Sequence, residues 1–224
     1  MSPGGLVAAD IEVDLAGRRI LDGVTLAVQP GRMVAVSGPS GSGKTTLLSV
    51  VGGLIEPTSG TARFAGAPVW TGDGDPRPDV AFILQVYGLV PILTARENVA
   101  IALRSRGVDP VEADARADRA LAALRVEELA DRLVEELSGG QMQRVAGARG
   151  LVVDAALLLA DEPTSELDEV NRDHVLGELR RAAERGAAVV VATHDPAVVA
   201  ACDADLHLVD GAVADPTPGA AVRG

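Results

Sequence analysis

At 224 residues with a formal net charge of -12, the chain can bury a substantial core as one domain but lacks the surplus of Lys and Arg that sequence-independent nucleic-acid binding requires. Apolar residues make up 47%, yet no uninterrupted apolar run approaches the ~20 residues of a membrane-spanning helix. The N-terminal Met1-Ser2-Pro3-Gly4-Gly5 has neither the basic start nor the apolar stretch of a secretory signal, and Cys202 is the only cysteine, so a reducing cytoplasmic setting is expected.

The first third predicts short strands. Asp10 to Leu15, Ile20 to Val28 and Arg32 to Ser37 carry β-branched and alternating residues, separated by Gly17 and by Pro30-Gly31. The spacing becomes helical from Gly43 to Gly53 and returns to strand character at Gly60 to Phe64 and Val80 to Leu84, with a Gly, Asp and Pro-rich loop over Thr71 to Asp79. Thr94 to Leu137 is rich in Ala, Arg, Glu and Leu and predicts inserted helices, and another helix is expected from about Met142 to Leu151. Ala156 to Ala160 and Ala187 to Ala192 predict buried parallel strands flanking a charged helix from Glu169 to Arg185, which makes the fold class α/β. Leu206 to Asp210 and Ala212 to Ala214 predict a closing hairpin, followed by a flexible tail. The organisation expected is one domain over 1–215, with a helical subdomain at about 94–145 and a tail over 216–224.

Three stretches carry chemistry. Gly38-Pro39-Ser40-Gly41-Ser42-Gly43-Lys44-Thr45 follows a buried strand and opens a helix, the setting in which such a pattern binds phosphate. Its glycines turn backbone N–H groups inward, Lys44 adds a point charge, Thr45 can ligate Mg²⁺, and Thr46 is counted with the nucleotide-binding residues. Lys44 is the only lysine among 20 basic residues, so its place in this loop is informative where arginine would not substitute. Leu157-Leu158-Leu159-Ala160-Asp161-Glu162 ends a strand in two carboxylates, where Asp161 would hold Mg²⁺ and Glu162 would activate water. Leu137-Ser138-Gly139-Gly140-Gln141 ends the helical insertion and starts a new helix; Ser138 reads as its N-cap, and the glycines expose amides that could take a second anion.

The combination strongly resembles the ABC ATPases, over about Asp10 to Val213. That resemblance implies a P-loop NTPase core with a parallel central sheet, an N-terminal antiparallel β subdomain and an inserted α-helical signature subdomain. It implies Mg-ATP as ligand and a head-to-tail dimer, in which Ser138, Gly139, Gly140 and Gln141 of one subunit close on the γ-phosphate held by a second. Gln85 matches the glutamine that senses Mg²⁺ and the attacking water, Asp168 the anchor of the loop that crosses between subunits, and His194 the histidine that contacts the γ-phosphate. His174 and His207 are given no role, and no metal beyond nucleotide-bound Mg²⁺ is expected.

Leu15 stands where the family usually carries an adenine-stacking aromatic, and no aromatic precedes Phe64, so base binding is expected to be weak. Val86-Tyr87-Gly88-Leu89-Val90-Pro91 lies where the family receives its membrane partner, with Tyr87 and Leu89 as candidate contacts. Leu93 to Leu103, Leu157 to Thr164 and Thr193 to Pro196 look most like the lipoprotein-releasing and macrolide-efflux group, whereas the short Gly66 to Val80 connection looks more like the nitrate and sulfonate importers. Gly147 and Gly150, where alanine is usual, are expected to loosen their helix by ~1 kcal/mol each. The implied function is ATP hydrolysis that energises a separate integral-membrane permease, from a peripheral position on the cytoplasmic face of the membrane. The alternative is an ATP-gated regulatory module that acts on a membrane partner without transport.

Overall fold

The computed structural model describes residues 4–214, so the expected tail lies outside the described residues. Two sheets organise the chain. Strands β1 (Leu6–Leu15), β2 (Arg18–Val28), β4 (Ser59–Phe64) and β5 (Ala67–Pro68) form an antiparallel sheet in the order β2-β1-β4-β5. The second has the order β10-β9-β3-β8-β7-β6, from β3 (Met33–Ser37), β6 (Val80–Ile83), β7 (Leu157–Asp161), β8 (Ala188–Thr193), β9 (Ala204–Val209) and β10 (Ala212–Val213). All its pairings are parallel except β10 with β9.

Burial explains the two kinds of strand. Every residue of β3, β7 and β8 is buried, because this sheet is covered on both faces and so takes continuous Val, Leu and Ala. Alternate residues face opposite layers: Leu157 and Leu159 join Leu6, Ile11, Leu21, Leu47 and Val50 under the antiparallel sheet, while Leu158 and Ala160 join Leu121, Leu124, Val145 and Leu179 among the helices. The closing hairpin is present, but β9 also pairs in parallel with β3 and thus extends the main sheet. A short helix over Pro196–Ala200, with Asp195 as its N-cap, was not legible as a periodic segment.

The helical region comprises α2 (Ala95–Arg104), α3 (Pro110–Ala123) and α4 (Gly139–Leu151), with two short 3₁₀ turns between α3 and α4. Thr94 and Glu97 form a capping box at the start of α2, and Asp109 caps α3 ahead of Pro110. Helix α4 starts at Gly139, earlier than expected, because Ser138 and Gln141 form a second capping box. Of its two inner glycines, Gly150 has the stronger packing reason. A Cβ on Gly150 would stand 2.5 Å from Ile83 Cγ1, and one on Gly147 would stand 3.0 Å from Leu124 Cδ1. Expecting these glycines only to loosen the helix leaves out how closely the sheet approaches it at Gly150.

Candidate active site

Strand β3 delivers the chain into the loop Gly38 to Gly43, and helix α1 (Lys44–Val51) leaves it. Gly43 is the N-cap at φ +102°, and a Cβ there would stand 2.7 Å from Leu21 Cδ2, so both conformation and space require glycine. It offers no side-chain cap, and the first turn contains no acid, so the free amides and positive end of α1 remain available to an anion. The Lys44 ammonium is buried and donates to the carbonyl oxygens of Gly38 at 2.8 Å and Pro39 at 3.0 Å.

The carboxyl end of β7 brings both carboxylates, Asp161 and the adjoining Glu162, beside the phosphate loop. The Thr45 hydroxyl donates to Asp161 Oδ2 at 2.7 Å, while Asp161 Oδ1 is buried without a protein partner among the described residues. Burial raises the Asp161 pKa above the usual carboxylate range, opposed by the Thr45 hydrogen bond, increased by the charge of Glu162, and opposed again by Lys44. A buried carboxylate oxygen beside a hydroxyl, with Gln85 in the same cavity, is a hard oxygen donor set suited to Mg²⁺.

Glu162 Oε1 lies 2.8 Å from His194 Nδ1, and the Thr193 hydroxyl is 3.5 Å from Oε2. The backbone of Glu162 has φ +47°, a left-handed conformation that costs a non-glycine residue about 1–3 kcal/mol and that the surrounding bonds must maintain. Its N–H donates to Ala192 O at 2.9 Å, and its carbonyl accepts from Gln143 Nε2 at 2.8 Å.

These side chains share one cavity of about 410 Å³, lined by Ile20, Pro39, Ser40, Gly41, Gly43, Lys44, Thr45, Thr46, Gln85, Asp161, Glu162 and His194. Gly38 acts behind the lining through its carbonyl, and the buried Ser42 hydroxyl has no partner among the described residues. Leu15 is not part of the lining; it ends β1, 45% exposed, paired with Arg18 across the hairpin. Ile20 of β2 is an apolar residue that does line the cavity.

Ser138, Gly139, Gly140 and Gln141 also lie outside this cavity, at the start of α4. Asp168 caps α5 (Glu169–Glu184), accepting from the Asn171 amide at 2.9 Å. Glu166, just before it, is close to the turn: a Cβ on Gly139 would stand 3.4 Å from Glu166 Oε2 and 3.5 Å from the Tyr87 hydroxyl. His207 lies on β9, with Nδ1 2.8 Å from the Ser37 hydroxyl. Arg149 of α4 donates to the carbonyls of Tyr87 and Gly88, both at 2.5 Å. Neither Gln143 nor Arg149 was singled out from sequence, since the burial of Gln143 and the partners of both depend on residues distant in the chain.

Comparison with known proteins agrees with this geometry. The family profile described as ABC transporter matches residues 21–165. An uncharacterised ABC transporter ATP-binding protein of Mycobacterium tuberculosis strain H37Rv is 39% identical over 96% of this chain and 68% of its own length. The macrolide export ATP-binding/permease protein MacB of Marinobacter nauticus is 39% identical over 88% of this chain but only 32% of its own. Among solved structures, a dimeric ATP-binding cassette bound to ADP and phosphate after hydrolysis superimposes with a TM-score of 0.87 at 32% identity, over 95% of this chain and 97% of that one.

Proposed function

From the premise that this chain belongs to the ABC transporter family and is an ATP-hydrolysing, ATP-binding subunit, we propose that it energises a separate integral-membrane permease through ATP-driven closure of a dimer. The observation that carries the catalytic part is the pairing of Glu162 with His194 at 2.8 Å, beside Thr45 and Asp161 at 2.7 Å, in one cavity.

In this reading the phosphate loop and the start of α1 bind the ATP phosphates, and Lys44 exchanges its loop carbonyls for phosphate oxygens. Thr45, Asp161 and Gln85 would hold Mg²⁺. When bound, that ion neutralises phosphate charge and fixes the phosphate geometry. Glu162 takes the proton of the attacking water, and His194 holds that carboxylate and approaches the terminal phosphate. Ser138, Gly139, Gly140 and Gln141 present amides to the nucleotide of a second copy, which closes the dimer, and Asp168 anchors the loop that crosses between the copies.

The permease is proposed as a separate chain; no helix among the described residues is long and apolar enough to cross a membrane. Relatives named for macrolide export join an ATP-binding part to a permease part, and this chain matches about a third of one such protein. The exposed Val86 and Ile92, flanking Tyr87 and Leu89, mark the surface proposed to meet that permease at the cytoplasmic side of the membrane. The test is reconstitution with the candidate permease: substrate-stimulated ATPase activity is expected. Partner-dependent signalling without any transported substrate would instead support the regulatory alternative.

A further inference from the structure

Gln143 is 3% exposed on α4, two residues after the Ser138 to Gln141 turn, and no catalytic step described so far uses it. Its carboxamide is committed at both ends. Nε2 donates to the main-chain oxygen of Glu162 at 2.8 Å and to the Ser165 hydroxyl at 3.1 Å, while Oε1 accepts from the Glu166 amide at 2.9 Å. Burying an amide costs free energy unless its hydrogen bonds are made, and an apolar side chain would fill the same space without that demand. Only a group with a donor and an acceptor can bind the carbonyl of one residue and the amide of another at once.

The residue so held is the one whose backbone sits at φ +47°. That conformation aims the Glu162 side chain at His194, and the Gln143 bond to the Glu162 carbonyl helps fix it against relaxing to an ordinary geometry. The other two bonds hold the loop leading to Asp168. A single side chain therefore links the anion-binding turn at the helix N-terminus to the carboxylate at the end of β7 and to the loop behind it.

We infer that Gln143 is the positioning residue that couples capture of a second subunit's nucleotide, at Ser138 to Gln141, to the alignment of Glu162 for hydrolysis in its own subunit. The inference rests on the proposed roles of Glu162 and of the Ser138 to Gln141 turn. Phosphate bound at the turn moves α4 as a rigid rod, and the carboxamide carries that displacement to Glu162. Each site of the dimer would then fire in step with the other. ATP binding itself does not involve Gln143, so affinity and turnover should separate.

The experiment measures steady-state ATPase kinetics and ATP-induced dimer formation by sedimentation for the full chain and for Gln143→Met, which keeps volume and removes the three bonds. A fall in kcat of tenfold or more is expected, with KM within twofold and an ATP-bound dimer that persists. A residue that only packs would lower the unfolding midpoint and leave kcat of the folded protein unchanged. A fall in kcat of less than threefold, or a loss of kcat matched by a rise in KM, overturns the inference. Should Gln143→Met not fold, Ser165→Ala decides, since it removes one exposed partner: a two- to threefold loss of kcat at constant KM supports the coupling, and an unchanged kcat overturns it. Glu162→Gln is run in parallel. If that variant turns over at the wild-type rate, the base assignment fails first; if it is inactive while Gln143→Met is not, the coupling alone fails.

Discussion

Oε1 of Glu162 and Nδ1 of His194 stand 2.8 Å apart, at the ends of two parallel strands whose register pairs Asp161 with Ala192. Thirty-two positions separate the two residues in the chain, and the sheet removes that separation. Neighbouring strand ends on the carboxyl edge of a parallel sheet are the place where such convergence is built.

The first prediction concerns that pair. Glu162→Gln is expected to reduce turnover by ~10²- to 10⁴-fold, the usual span for losing a general base, while nucleotide binding is kept and the ATP-bound dimer accumulates. His194→Ala should lower kcat with a smaller effect on KM. Single-turnover hydrolysis with a fluorescent nucleotide-binding assay checks both.

The second concerns Asp161. Burial holds its pKa above the unfolded value, so this group favours the folded state at low pH, and that contribution is lost as pH rises through the folded pKa. Asp161→Asn removes the buried charge, so the nucleotide-free protein should unfold at a higher temperature at pH 7, by about 2–4 °C for each kcal/mol regained. The same variant should lose Mg²⁺-dependent turnover. Calorimetry and a Mg²⁺ titration of ATPase activity report the opposite signs.

The apolar lining of the cavity gives the third prediction. Ile20 is in the lining of the cavity and Leu15 is not, so Ile20→Ala should weaken ATP binding several-fold. If the base extends past the cavity lining to the end of β1, Leu15→Tyr should strengthen it, since stacking on a base is typically worth ~1 to 3 kcal/mol. Equilibrium binding of ATP, compared with GTP, measures both; unchanged affinity in Leu15→Tyr refutes the idea that the aromatic is missed there.

A fourth prediction separates packing from propensity. Alanine is the better helix former, yet Gly150→Ala should destabilise the protein by about 1–3 kcal/mol, because the added methyl would enter the space held by Ile83 and the Phe82 carbonyl. Gly147→Ala meets only the end of Leu124 and should be close to neutral. Denaturant unfolding ranks the two.

The strands around the phosphate loop were legible because their composition and the loop's glycines report local geometry. The buried runs Leu157 to Ala160 and Ala188 to Ala192 could likewise be read, since a sheet covered on both faces takes apolar residues without alternation. What sequence did not reveal depends on partners distant in the chain. The role of Gly150 depends on Ile83 packed against it, and that of Gln143 on its bonds to Glu162, Ser165 and Glu166. Leu15 was placed by resemblance along the strand, whereas the pleat and the turn after it bring Ile20 to the cavity.

Lys44 is the sole lysine of the chain, and its ammonium is buried against two loop carbonyls. An amine-directed acylating reagent therefore has one internal target, and that target lies inside the cavity proposed to hold the nucleotide. The degree of labelling at this position becomes a direct gauge of cavity occupancy, readable by mass spectrometry on unmodified protein. Trypsin, in turn, would cut after arginines and at one further place, so acylation there merges two peptides into one and gives the experiment its own internal marker.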